Sequence, residues 1–341
     1  RIVPHHRNLE QFLFIFGERT LGDLMGNYRR PRQTSLPVSQ ILDVREDKSI
    51  RRHEIAARLT SVARRLMERF ADEQNVIVCV GNIGAGKSSL VKYLAYNTGM
   101  NALFELPDEG FEDHLVRNES LYPLLATAKN AAKRTLGRYY GAINDFIACQ
   151  GREEEGSPAM LTARRHLESA ALDIQHAYLD LRKMQLQAVP HLRHSTCVDG
   201  SALADRFAFC EVLHRDMDVP YLTGEALDII DERLETEVRP LAQPSLLVLL
   251  DGPRDYIFQN IRERQRSEEK EAQHAEDELP EGLTRLVTAL DRRYAEFITV
   301  LRETGWYNGP VLRVDVSEID FVANVRHLIA VYEGIERLLD E

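Results

Sequence analysis

Residues Gly81, Asn82, Ile83, Gly84, Ala85, Gly86, Lys87 and Ser88 form a glycine-rich turn closed by a lysine and a hydroxyl, followed by Ser89. The spacing is G-x-x-x-x-G-K-[ST], and its chemistry is phosphate binding. Glycines let successive backbone N–H groups curl around phosphate oxygens, and a helix starting at the lysine adds its positive end. Lys87 can then reach the terminal phosphates, and Ser88 can offer its hydroxyl to Mg²⁺.

Phosphoryl transfer asks for more than a phosphate cradle. It needs a group that takes the acceptor's proton, a carboxylate for the metal, and cations over the leaving phosphate. Glu105 ends the apolar stretch Ala102–Leu106, and Asp199 ends another, Ser195–Ser201. Arg262, Arg264 and Arg266 precede Glu268 and Glu269 in a charge-dense segment. Each of these alone is an ordinary surface charge. Together, at strand ends beside a phosphate loop, they are the parts of a transferase, because open α/β sheets bind ligands at the carboxyl ends of their strands.

The elements that must position these residues follow from the apolar pattern. Five runs, Asn75–Gly81, Ala102–Leu106, Ser195–Ser201, Pro244–Gly252 and Gly309–Ser317, carry apolar residues without polar alternation. Strands of that kind, separated by helical stretches, form a parallel sheet covered on both faces. The helix after the loop runs to Gly99, a C-terminal cap signal. Gly151–Met160 clusters Gly, Pro and charge and reads as a loop between helices. The expected class is α/β: a three-layer fold of the phosphate-loop type, with a five-stranded parallel sheet, helices on both faces, an N-terminal extension and a helical insertion. The boundaries are an extension over 1–74 and a phosphate-loop domain over 75–341. Within the latter, the insertion spans about 107–165, and a charge-dense segment, to which the resemblance below gives the part of a lid, spans about 260–281. In the extension, the Pro- and Ser-bearing stretch "RRPRQTSLPVSQ" reads as irregular. Ile50, Ile55, Leu59, Val62, Leu66 and Phe70 recur at helical spacing between arginines, as in an amphipathic helix packed on its own domain.

Composition removes several classes. A net charge of −11 argues against nucleic acid as the main partner. The longest apolar runs, Phe12–Phe16 and Ser245–Leu250, are too short to cross a bilayer. Cys79, Cys149, Cys197 and Cys210 stand far apart and read as reduced thiols, and the histidines show no metal-ligand spacing. The sequence opens on Arg1, which fits removal of a mitochondrial targeting segment and equally a trimmed start.

The combination resembles the deoxynucleoside kinase family, whose landmarks occur in family order over roughly Val76–Phe321. "GNIGAGKSSL" is similar to its phosphate loop, and Glu105 to the glutamate that serves it as general base. In "IQHAYLDLR" the resemblance implies that Gln175 bonds the nucleobase and that Arg182 faces it. The two are seven residues apart, two turns along one helix face, roughly 10 Å. "VDGSALADRFAF" stands where the family has its E-R-S signature and, beyond it, S-x-R-Y or S-D-R-Y. The resemblance puts Asp199 on Mg²⁺ and Asp205 toward the base, able to pair with Arg182. "RERQRSEE" looks like the lid, implying Arg264 and Arg266 on the phosphates and Glu269 near the sugar 3′-hydroxyl. "LRVDVSEIDF" is similar to the last strand and the adenine-contacting loop, with Glu318 and Phe321. The resemblance thus implies ATP and Mg²⁺ as cofactors and a nucleoside or nucleotide as partner. A purine or deoxycytidine is favoured over thymidine.

Two departures bear on activity. The signature arginine is Gly200 here, and about seventy residues precede the loop. They set the active kinase, a homodimer if free, against a second reading. That alternative is a non-catalytic, nucleotide-binding accessory subunit of mitochondrial respiratory complex I, partnered by subunits of the membrane complex. "FLFIFGERTLGD" is distantly similar to the opening segment of that branch. A nucleoside monophosphate kinase or generic ATPase fits less well, since neither has a use for Gln175, Arg182 and Asp205.

Overall fold

The computed structural model describes residues 45–105, 122–192, 194–264, 279 and 281–340. Its sheet contains β1 (Val76–Gly81), β2 (Asn101–Leu103), β3 (Thr196–Asp199), β4 (Leu246–Asp251) and β5 (Val311–Asp315), all parallel, in the order β2-β3-β1-β4-β5. The strand following β2 returns beside β1, and the next crosses to its other side. The chain therefore changes winding direction at β1, which puts the ligand crevice above that strand's carboxyl end.

Unalternating apolar strands are explained by burial on two faces. Val76, Val78, Val80, Val198, Leu247 and Leu249 join one core. The intervening Ile77, Cys79, Cys197, Leu246, Val248 and Leu250 join the other. The first face is covered by α3 (Tyr122–Gln150), α4 (Pro158–Ala188) and part of α8 (Glu281–Glu303). The opposite face is covered by α1 (Arg45–Asp72), α2 (Lys87–Thr98), α7 (Arg254–Arg264) and α9 (Val325–Asp340). Between β3 and β4 the short α5 (Ala202–Ala204) runs into π-helical turns at Asp205–Cys210 and Val212–Asp216; α6 (Gly224–Arg233) follows. The four cysteines are free thiols, three of them buried.

Local signals account for the ends that matter. Gly99 caps α2 in the left-handed conformation, φ 71°, its N–H bonded to the Ala95 carbonyl. Ser157 caps α4 by accepting from the Met160 N–H at 3.2 Å, with Pro158 in the first turn. The loop read between helices is the break between α3 and α4.

The expected amphipathic helix of the extension is α1, and it packs on the domain. Leu59, Val62, Leu66 and Phe70 are buried in the same core as α2 and α9. On its outer side Arg58, Arg65 and Arg69 pair with Glu333, Glu336 and Asp340 of α9. Exposed pairs of this kind add little, so apolar burial must hold the helix down. Phe70→Ala should therefore cost about 3–5 kcal/mol of unfolding free energy, read as a lowered midpoint in urea.

Candidate active site

The phosphate loop is held by its surroundings before any ligand is considered. Gly84 and Gly86 have φ of 83° and 92°, in the left-handed region where glycine is at ease. A Cβ on Gly84 would lie 2.8 Å from Ile261 Cγ1, so α7 presses directly against the loop. Asn260 of α7 also donates to the Gly84 carbonyl at 3.0 Å. Asn82 accepts from the Ile83 N–H at 2.8 Å and donates to the Val287 carbonyl of α8. Lys87 Nζ donates to the carbonyls of Gly81 and Asn82, at 3.1 and 3.0 Å. Its ammonium thus lies over the loop, at the start of a helix with no acidic residue in its first turn.

Asp199 reaches the loop through sheet register. Its neighbour on β1 is Cys79, and the Gly200 N–H continues the ladder to the Cys79 carbonyl at 2.9 Å. The carboxylate accepts from Ser88 Oγ at 2.6 Å through Oδ2. Its Oδ1 is buried and accepts no hydrogen bond among the described residues. Burial, reinforced by Glu105, raises the Asp199 carboxyl above its usual range, while Lys87, the Ser88 hydroxyl and Arg182 oppose the rise. A buried oxygen without a donor, beside a serine hydroxyl and a phosphate loop, suits a hard divalent cation. Ser88 and Asp199 therefore fit Mg²⁺.

Glu105 lies two residues beyond β2, with its side chain 23% exposed. Oε1 accepts from the Tyr178 hydroxyl at 3.0 Å and Oε2 from Arg182 Nη2 at 2.8 Å. Arg182 is 2% exposed, and its Nε donates to Asp205 Oδ2 at 2.9 Å. Its Nη1 donates to the Asp199 carbonyl at 2.7 Å and to Gln185 Oε1 at 3.2 Å. Burial works against this charge, but Asp205 and Glu105 outweigh it and the guanidinium's pKa stands above its ordinary value. The expected Arg182–Asp205 pair is thus present, and Glu105 joins it.

Gln175 is buried, with Cys210 Sγ donating to its Oε1 at 3.3 Å. Phe321 is buried next to the loop: a Cβ on Gly86 would lie 3.4 Å from its Cζ. Glu318 is exposed, in the turn after β5. Arg264 ends α7, its side chain outside the described set, and Arg266 and Glu269 lie outside the described residues, as do 1–44 and 106–121.

Two participants were missed by reading the sequence: Tyr178, bonded to Glu105, and Gln185, which bonds Arg182 and donates to the Phe104 carbonyl at 2.9 Å. The signal was available. Gln175, Tyr178, Arg182 and Gln185 are spaced i, i+3, i+7, i+10, one stripe of α4.

This geometry agrees with the chain's kinship. The chain belongs to the deoxynucleoside kinase family, whose model matches residues 77–340. Among solved structures it is similar to a deoxyadenosine kinase from M. mycoides with the products dCMP and a flexible dCDP bound. Identity there is 17%, covering 77% of this chain and 98% of that one, with a TM-score of 0.48. The dCTP-bound form of that enzyme gives 16%, 77%, 98% and 0.46, and the dATP-bound form 15%, 78%, 100% and 0.45. A search of curated proteins found no match.

Proposed function

We propose that the protein transfers the γ-phosphoryl group of ATP to the 5′-hydroxyl of a deoxynucleoside. The observation that carries this reading is the meeting of Glu105, Asp199 and the Lys87–Ser88 helix start at one sheet edge. In the step, the 5′-oxygen bonds to the γ-phosphorus while the bond from that phosphorus to the β–γ bridging oxygen breaks. ADP leaves, and the hydroxyl proton passes to the Glu105 carboxylate. Lys87 and the loop N–H groups hold the phosphates, and Ser88 and Asp199 would hold Mg²⁺, which would supply positive charge to the phosphate oxygens. Gln175 and Asp205 serve the nucleobase, with purine or cytosine preferred. Phe321 and Glu318 serve the adenine of ATP. Arg264, Arg266 and Glu269 serve the phosphates and the sugar 3′-hydroxyl.

The test is transfer of labelled γ-phosphate from ATP–Mg to each of the four deoxynucleosides, with Lys87→Ala as control. Formation of a deoxynucleoside 5′-monophosphate that the control lacks, and that chelation of Mg²⁺ abolishes, is the expected result. Equal label transfer by wild type and control would rule the reading out.

A further inference from the structure

Arg182 sits where only a glycine partner lets it sit. Gly200 has φ 86°, and a Cβ built there would lie 2.2 Å from Arg182 Nη2 and 2.7 Å from its Cζ. The guanidinium therefore occupies the volume that any side chain at residue 200 would claim. From that seat its donors run to Asp205, Gln185, the Asp199 carbonyl and Glu105, so four of its five N–H groups are directed into protein. Burying a guanidinium is expensive unless its hydrogen bonds are satisfied, and these bonds satisfy it. They also tie it to the segments that end β2 and β3. Gln185 closes the frame by donating to the Phe104 carbonyl, one residue before Glu105.

A planar guanidinium anchored through Nε and Nη1 aims its remaining nitrogen, Nη2, in a fixed direction, as a flexible ammonium does not. With Nη2 on Oε2 and the Tyr178 hydroxyl on Oε1, each oxygen of the Glu105 carboxylate is held by a donor from α4. We infer that Arg182, seated on Gly200, is a positioning residue that orients Glu105 for proton removal from the acceptor hydroxyl, not a reader of the nucleobase. This role presupposes the kinase reaction proposed above. The two positions form one device: the glycine makes the room and the arginine fills it.

Two variants test it: Arg182→Lys, which keeps the charge and loses the fork, and Gly200→Ala, which changes no charge and pushes the guanidinium off its seat. For each, kcat and KM are measured on all four deoxynucleosides, nucleoside affinity by calorimetry, and folding by thermal melting. The expected result is a fall in kcat of about a hundredfold, in equal proportion for every base the wild type accepts, with nucleoside affinity retained. Adding Glu105→Gln to either variant should lower kcat no further than Glu105→Gln alone, because groups acting as one unit are not additive. A loss confined to one class of base, seen as raised KM and weakened affinity, would overturn the inference and make Arg182 a base reader. An additive double variant whose losses follow melting temperature would overturn it in favour of a purely structural pair. Absence of turnover in the wild type would instead remove the kinase reading, and this role with it.

Discussion

Replacing Glu105 with glutamine should lower kcat by about 10²–10⁴-fold, the usual worth of a positioned general base, while ATP and nucleoside binding persist. The substitution keeps shape and removes the proton acceptor. It also upsets a matched pair of bonds. Both oxygens of Glu105 accept, one from the Tyr178 hydroxyl and one from Arg182. An amide has a single acceptor oxygen, so its NH₂ must confront one of those two donors. With Arg182 committed at four N–H groups, the amide oxygen should stay on the guanidinium and the NH₂ should face Tyr178. Pre-steady-state kinetics with calorimetry distinguishes the cases: lost turnover with retained affinity supports the role of base, and lost affinity would assign Glu105 to substrate binding alone. Glu105→Asp should recover little, because one methylene less withdraws the carboxylate from both donors at once.

How far all this could be read from the sequence depends on whether a feature is local. The central strands were legible because they are apolar on both faces, and a run such as Leu246–Leu250 has no solvent side to write polar residues on; β5, read as equally buried, is an edge strand that alternates, with Arg313 and Asp315 exposed. Strand ends were less legible. Ala102–Leu106 reads as one strand, yet pairing with β3 ends at Leu103 opposite Val198. β2 is an edge strand with a single neighbour, and neighbours are not written in its own residues. The Phe104 carbonyl then accepts from a side chain of α4, and Glu105 is carried off the sheet toward Arg182. The loop and Asp199 at the end of β3 were legible through motif and spacing, and the Arg182–Asp205 pair through the family resemblance. The bond from Arg182 to Glu105 was not, since its partners are 77 residues apart on separate elements.

Gly200 shows the limit most clearly. In the sequence it is a missing arginine side chain, and on that ground it favoured the non-catalytic accessory-subunit reading. In the fold the space beside it holds a guanidinium from α4. The sequence shows only a missing side chain, and the packing of α4 on the β3 terminus shows what fills its place. The lid arginines that the resemblance implies, Arg264 at the end of α7 and Arg266 beyond it, lie outside the side chains described.

Replacing Asp199 with asparagine should separate stability from function in opposite directions. In the metal-free protein this carboxylate is 3% exposed, its Oδ1 takes no hydrogen bond among the described residues, and Glu105 bears on it with like charge. Its folded pKa is therefore raised above the unfolded value. For a carboxyl shifted upward, the unfolded chain holds fewer protons than the folded one between the two pKa values, so stability falls as pH rises through that window. Above that window the ionised group is a net cost to the fold. A neutral amide keeps an acceptor for Ser88 Oγ and removes the buried charge, which is cheaper to bury. In EDTA the variant should melt above the wild type. With Mg²⁺ and ATP the order should close or reverse, because only the wild type gains stability from a bound cation, and turnover by the variant should be down by about 10²–10³-fold. Melting curves with and without Mg²⁺ check both halves. A variant that melts lower in EDTA would show that the carboxylate stabilises the fold by itself. One that keeps the Mg²⁺-dependent rise would place the cation on other ligands. The buried Oδ1 of Asp199, with no donor among the described residues, is the oxygen that a cation delivered with the nucleotide would use.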